Sequence, residues 1–263
     1  MFAGGMLGTL LSAKNWGRFN KPSHKIIIAL SLQLFLSFLY PDYTFFTLAL
    51  LGIAVGLMAP LGIYLFKEKQ QLELFFALAI AYTVGTYFYN TEVELRLWMA
   101  ISFSAVALLS ALILRNYTIQ TDTKQLSHSF LSYFPLILWI FLDSNLFETI
   151  SRHAGINIWQ THTSIIIIFH FIGLLTAYFI KTSPAKNHII ISILFFLSYM
   201  FSYLEIPLAL AIIYPLTISY YNVVVFTQLT KEISLSNLAF IMLFVGWIAS
   251  GLGLSLALSG LVH

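Results

Sequence analysis

The residue best suited to chemistry in this sequence is a carboxylate in an otherwise apolar run. Asp143 stands in PLILWIFLDSNLFETISRH (135–153), and His170 stands in TSIIIIFHFIG (163–173). Charged side chains inside membrane spans are costly, so Asp143 is a functional candidate. The two runs follow one another and must run antiparallel, with each residue near the outer end of its own span. Equal depth is therefore expected for Asp143 and His170. A carboxylate facing an imidazole can exchange protons near neutral pH, which makes the pair a candidate for proton coupling or for holding a polar solute. Asn145 and Gln33 are the next polar residues within apolar runs and are candidates to line a solute path or to join helices. Glu148 and Arg152 are four apart, the spacing of an ion pair on a helix end, and form a candidate gate beside Asp143. No metal site is expected, and no residue is assigned a catalytic role. With no cysteine in the chain, disulfides, thiolate metal sites and cysteine nucleophiles are excluded.

These residues need elements to hold them, and the composition dictates which. Of the 263 residues 59% are hydrophobic and only 9% charged, with a mean hydropathy of +0.88. A soluble domain carries about 25% charged residues, so this chain could not cover a water-facing surface. An all-α, polytopic bundle of transmembrane helices follows, with the lipid bilayer as its main partner and no nucleic acid. Backbone polar groups must pair internally in hydrocarbon, so apolar runs of about 20 residues read as helices. Nine such spans are predicted: 25–41, 43–66, 71–90, 94–114, 127–148, 163–181, 187–204, 207–228 and 236–260. Residues 1–13 make about half a span. No connecting stretch is long enough for a soluble domain.

Orientation follows from the basic residues. One set of alternate loops holds Lys14, Arg18, Lys21 and Lys25, then Lys67 and Lys69, Arg115 and Lys124, Lys181 and Lys186, and Lys231, 11 in all. The other set holds only Arg96 and Arg152, so the split is 11 to 2. The loop at Lys14 is expected to be cytoplasmic and the C-terminal His263 outside, in a bacterial inner membrane. Trp98 and Trp159 then fall at the outer interface and Trp16 at the inner one, where aromatic belts form.

An internal repeat emerges at an offset of 163 residues. Residues 24–43 align with 187–206 at six of twenty positions: Ile26/Ile189, Ile27/Ile190, Ile28/Ile191, Leu34/Leu197, Phe38/Phe201 and Tyr40/Tyr203. Asp42 also meets Glu205. Leu10-Leu11-Ser12-Ala13 precedes one copy as Leu174-Leu175-Thr176-Ala177 precedes the other, and Lys67-Glu68 and Lys231-Glu232 close the next helices. Both copies follow a basic loop, so the repeat is parallel, with a period of six helices. On these marks the chain resembles the major facilitator superfamily of transporters. The loop 11–21 is similar to that superfamily's basic cytoplasmic loop, with Gly17-Arg18 at its Gly-Arg pair and Lys14 where the family carries an acidic residue. Only Gly85 stands where the glycine-rich antiporter motif is expected on 71–90.

The resemblance implies an N-terminal helical half at 1–115, a cytoplasmic linker at 116–126 and a C-terminal half at 127–263. In that register the first one and a half helices and the last helix fall outside the chain. It further implies a carrier that moves a small solute by alternating access, with proton coupling as an option and no cofactor. Gly52-x-x-x-Gly56, Pro60, Pro215, Gly246, Gly251 and Gly253 suit helices that pack closely and bend. Tyr82, Tyr87, Tyr89 and Asn90 are a candidate polar patch near the outer mouth. Two other functions compete. Glu148-x-x-x-Arg152 followed by His162 and His170 resembles the glutamate-based CAAX-type membrane proteases, although Phe147 replaces the first of their paired glutamates. A membrane scaffold without transport is the third.

Overall fold

The computed structural model describes residues 1–65, 71–113, 130–153, 155–180, 182–232 and 234–259, and every element among them is helical. The helices are α1 (Phe2–Ser12), α2 (Pro22–Ser37), α3 (Phe45–Leu65), α4 (Gln71–Asn90), α5 (Val93–Ile113), α6 (Phe134–Arg152), α7 (Ile158–Thr161), α8 (Thr163–Phe179), α9 (Pro184–Tyr203), α10 (Pro207–Leu229), α11 (Leu235–Met242) and α12 (Ala249–Leu258). A π-helical stretch, Leu243–Ile248, joins α11 to α12. Lys67, Glu68, Lys69, Arg115, Lys124, Lys181, the linker 116–126 and His263 lie outside the described residues.

All nine predicted spans form helices, but not all are long enough to cross a bilayer. Seven helices are long and apolar enough: Phe45–Leu65, Leu72–Asn90, Val93–Ile113, Phe130–Arg152, Pro184–Tyr203, Pro207–Leu229 and Leu235–Leu258. The other two predicted spans form shorter helices among the described residues. α2 stops at Ser37 after 16 residues, and α8 runs for only 17. Local chemistry explains several boundaries. Pro22 and Pro184 open their helices at positions where no backbone N–H is needed. Ser183 and Ser234 each accept a backbone N–H as N-caps of α9 and α11. α9 ends where Glu205 takes a left-handed backbone (φ 53°), and the amide of Ile206 returns to the Phe201 carbonyl.

The chain divides into two compact units. One holds α1, α2, α3, α5 and α11. Its centre is the crossing of α1 and α3, where glycines bring the two backbones together. A Cβ on Gly4 would lie 2.1 Å from the Ala49 carbonyl oxygen, and one on Gly56 would lie 2.1 Å from that of Gly5. Only glycine tolerates such an approach, and small residues are how helices associate when lipid offers no hydrophobic drive. Thr9 reinforces the crossing: its hydroxyl donates to the Gly56 carbonyl and accepts from Trp247 Nε1 at 2.8 Å. At the end of α1 the buried Lys25 donates to the carbonyls of Ser12 and Lys14, both at 2.7 Å.

The second unit holds α4, α6, α7, α8, α9, α10 and α12. α12 lies close on α6, with Gly253 against the Phe141 carbonyl, and α8 lies on α10, with Gly173 against the Leu216 carbonyl. α10 is the most buried of the long helices and carries the tyrosines Tyr214, Tyr220 and Tyr221, all almost fully enclosed.

Candidate functional site

Asp143 lies midway along α6, on the side turned to α10. Tyr214 and Tyr221 are seven residues apart on α10, two turns along one face. Tyr214 Oη donates to Asp143 Oδ1 at 2.9 Å, and Tyr221 Oη donates to Asp143 Oδ2 at 2.5 Å. Each carboxylate oxygen therefore accepts from a phenol, the arrangement that best sustains a charge away from water. Asp143 forms no salt bridge among the described residues, and the nearby Glu148 is paired with Arg152.

The neighbouring residues fix α6 against its surroundings. Asn145 is buried: its Oδ1 accepts from Tyr199 Oη at 3.0 Å, and its Nδ2 donates to the Gly253 carbonyl at 3.3 Å. Ser144 donates to Ser250 Oγ at 2.8 Å. Glu148 and Arg152 form the expected ion pair, with Arg152 well exposed. Asp143, Ser144, Phe147, Glu148, Ser250 and Leu254 line a pocket of about 200 Å³. Phe147 is the aromatic side chain in this lining, and buried rings support it from behind. Trp159, presented by the short α7, packs on Phe147 with ring centroids 5.4 Å apart and on Tyr214 at 6.3 Å.

The expected pairing of Asp143 with His170 is replaced by separate partners for each. His170 Nδ1 shares a 2.7 Å hydrogen bond with Ser219 Oγ, and its ring stacks on Tyr82 at 4.3 Å with planes 3° apart. Tyr82 Oη in turn accepts from Asn222 Nδ2 at 2.8 Å. Both polar groups thus use α10, Asp143 through Tyr214 and Tyr221 and His170 through Ser219, while Asn222 of the same helix holds the stacked Tyr82. Gln33 belongs to the first unit, where Nε2 makes a long 3.4 Å contact with Ser104 Oγ and buried Oε1 has no partner among the described residues. Of the expected outer patch, Tyr82 joins His170, while Asn90 donates to the Trp159 carbonyl and to Thr163 Oγ1, tying α4 to the start of α8.

Reading the sequence for charge alone overlooks Tyr214, Tyr221, Tyr199 and the Ser144–Ser250 pair. For the two phenols the signal was present in α10, where Tyr214, Thr217, Ser219, Tyr220, Tyr221 and Asn222 gather hydroxyl and amide side chains in an otherwise apolar stretch. Among the described residues no group of three His, Asp or Glu side chains converges as a metal site. No family model matches the chain, and neither a curated protein nor a solved structure matches it.

Proposed function

We propose that the chain is a secondary carrier that moves a small solute across a bacterial inner membrane by alternating access, built on a parallel helical repeat of the major facilitator kind, with proton coupling as an option. The observation that carries this reading is Asp143: a carboxylate within a spanning helix, held by two phenols, lining a small pocket and forming no ion pair among the described residues. Such a group is costly in a membrane and is of use where a proton or solute neutralises it in turn.

The repeat is supported by one further relationship. At an offset near 163, α1 corresponds to α8 and α4 to the Leu235–Leu258 helix. α11 packs on α1 within the first unit, and α4 packs on α8 within the second. These are the same helix pair with the copies exchanged, as a two-fold relation between repeats requires. Pro60 and Pro215, both inside spans, supply the bends that rocking helices use.

The protease-like alternative is disfavoured by Phe147, which stands where that pattern has the first of two glutamates. Proteoliposomes exposed to a mixture of small amines, amino acids, sugars and organic acids, then assayed by mass spectrometry for captured solutes, test the reading. A carrier enriches a solute in a way that Asp143→Asn abolishes and Glu148→Gln leaves measurable. Enrichment of no solute, or loss confined to Glu148→Gln, would overturn it.

A further inference from the structure

The charges around the pocket name the class of solute. Asp143 and Glu148 both line it, but Glu148 is already matched by Arg152. One negative charge is left over, and its two oxygens already hold one phenol each. A second anion would be repelled, and a dication would exceed the charge available. The balance calls for one positive charge. The rest of the wall is not that of a site for a bare hydrated metal ion. Phe147 and Leu254 supply apolar surface, and Trp159 backs the Phe147 ring and meets Tyr214. Phe147 is the aromatic side chain in the lining, and an aromatic ring beside a carboxylate attracts cations with an organic coat, whose charge is spread over methyl and methylene groups. At about 30 Å³ per water-sized group, the pocket of about 200 Å³ holds roughly six such groups.

We infer that this pocket binds a small monovalent organic ammonium ion, its charge against Asp143 and its alkyl groups against Phe147 and Leu254. Binding follows from the pocket itself; the identification of that ion as the transported solute rests on the carrier reading above. Ser144 and Ser250, joined to each other across the α6–α12 contact, offer hydroxyl oxygens to any N–H the ammonium carries.

Tetramethylammonium chloride titrated into the detergent-solubilised full chain, against sodium chloride at equal ionic strength, tests the assignment by calorimetry. Saturable binding is expected that tert-butanol, a neutral compound of similar size, does not compete. Asp143→Asn should weaken it by roughly tenfold or more, and Phe147→Leu, which keeps the charge and removes the ring, by roughly threefold or more. Asp143→Glu, preserving the charge, should bind measurably and guards against loss of fold in the amide variant. No saturable binding, equal competition by tert-butanol, or an Asp143→Asn variant with unchanged affinity would overturn the inference. Counterflow of tetramethylammonium in proteoliposomes separates the two claims. Binding without counterflow upholds the ammonium site and removes the carrier reading. Asp143-dependent uptake of some other solute without ammonium binding does the reverse.

Discussion

The hydroxyl of Tyr214 on α10 donates to Oδ1 of Asp143 on α6 across 2.9 Å, so the buried acid is tied to its neighbour by a neutral donor and not by a base. A neutral partner steadies the carboxylate without cancelling its charge. That distinction separates a structural ion pair from a site still able to take a cation or proton, and it has measurable consequences.

Removing one phenol leaves a carboxylate oxygen short of a donor. Tyr214→Phe and Tyr221→Phe should each lower stability in detergent by about 1.5–3 kcal/mol, the usual worth of a hydrogen bond to a charged group. The double variant should lose at least as much as the two together. Thermal unfolding of the purified variants measures this, and Phe variants as stable as the parent would show the bonds to be absent.

Asp143 and His170 have separate partners, so their contributions should be independent. In a cycle of Asp143→Asn, His170→Phe and the double variant, stability changes should add to within about 0.5 kcal/mol. His170→Phe keeps the stack on Tyr82 and should leave Asp143-dependent uptake in place. A coupling of more than about 1 kcal/mol would mean that the two side chains meet.

The α1–α3 crossing depends on hydrogen in place of a side chain. Gly56→Ala should cost about 1–3 kcal/mol, because its Cβ would fall 2.1 Å from the Gly5 carbonyl oxygen and the helices must part. Gly85, where an added Cβ meets nothing within 4 Å, is the matched control. Gly85→Ala should be neutral or gain up to about 1 kcal/mol from helix propensity. Equal effects at the two sites, read from unfolding midpoints, would contradict the close crossing.

Lys25 pairs with no carboxylate among the described residues, and its ammonium is held by the carbonyls at the end of α1. Lys25→Met should keep the stem packed but strand both carbonyls, at a cost of roughly 1–3 kcal/mol. Proteolysis within the loop 13–21 should quicken in that variant, with Lys25→Arg intermediate. Unchanged cleavage would show that the ammonium does not hold the loop.

These contrasts mark what the sequence could and could not reveal. Helices were legible because hydrocarbon admits little else, and prolines at 22 and 184 together with serines at 183 and 234 fix several of their starts. The ion pair of Glu148 with Arg152 was legible from spacing alone. Asp143 and His170 were found as buried polar residues, but hydropathy fixes depth along a helix and not rotation about it. Their expected pairing therefore gave way to Tyr214 and Tyr221 for one and Ser219 with Tyr82 for the other. Tyrosines in apolar runs read as bulk facing lipid until a partner is seen. The short reach of α2 and the π-helical turn at 243–248 were not read from hydropathy, which does not resolve where a helix stops or changes its winding. Gln33, so similar to Asn145 in sequence, lies in the other compact unit with one amide oxygen unmatched.

Solute exchange in proteoliposomes tests the central claim most directly. Vesicles carrying the full chain are preloaded with an excess of the unlabelled solute identified by mass spectrometry, and entry of the labelled solute is timed. A carrier that alternates access should show entry accelerated by preloading and transient accumulation above the outside concentration, both lost in Asp143→Asn. Entry indifferent to preloading, or exchange that persists unchanged without the Asp143 carboxylate, would contradict the account.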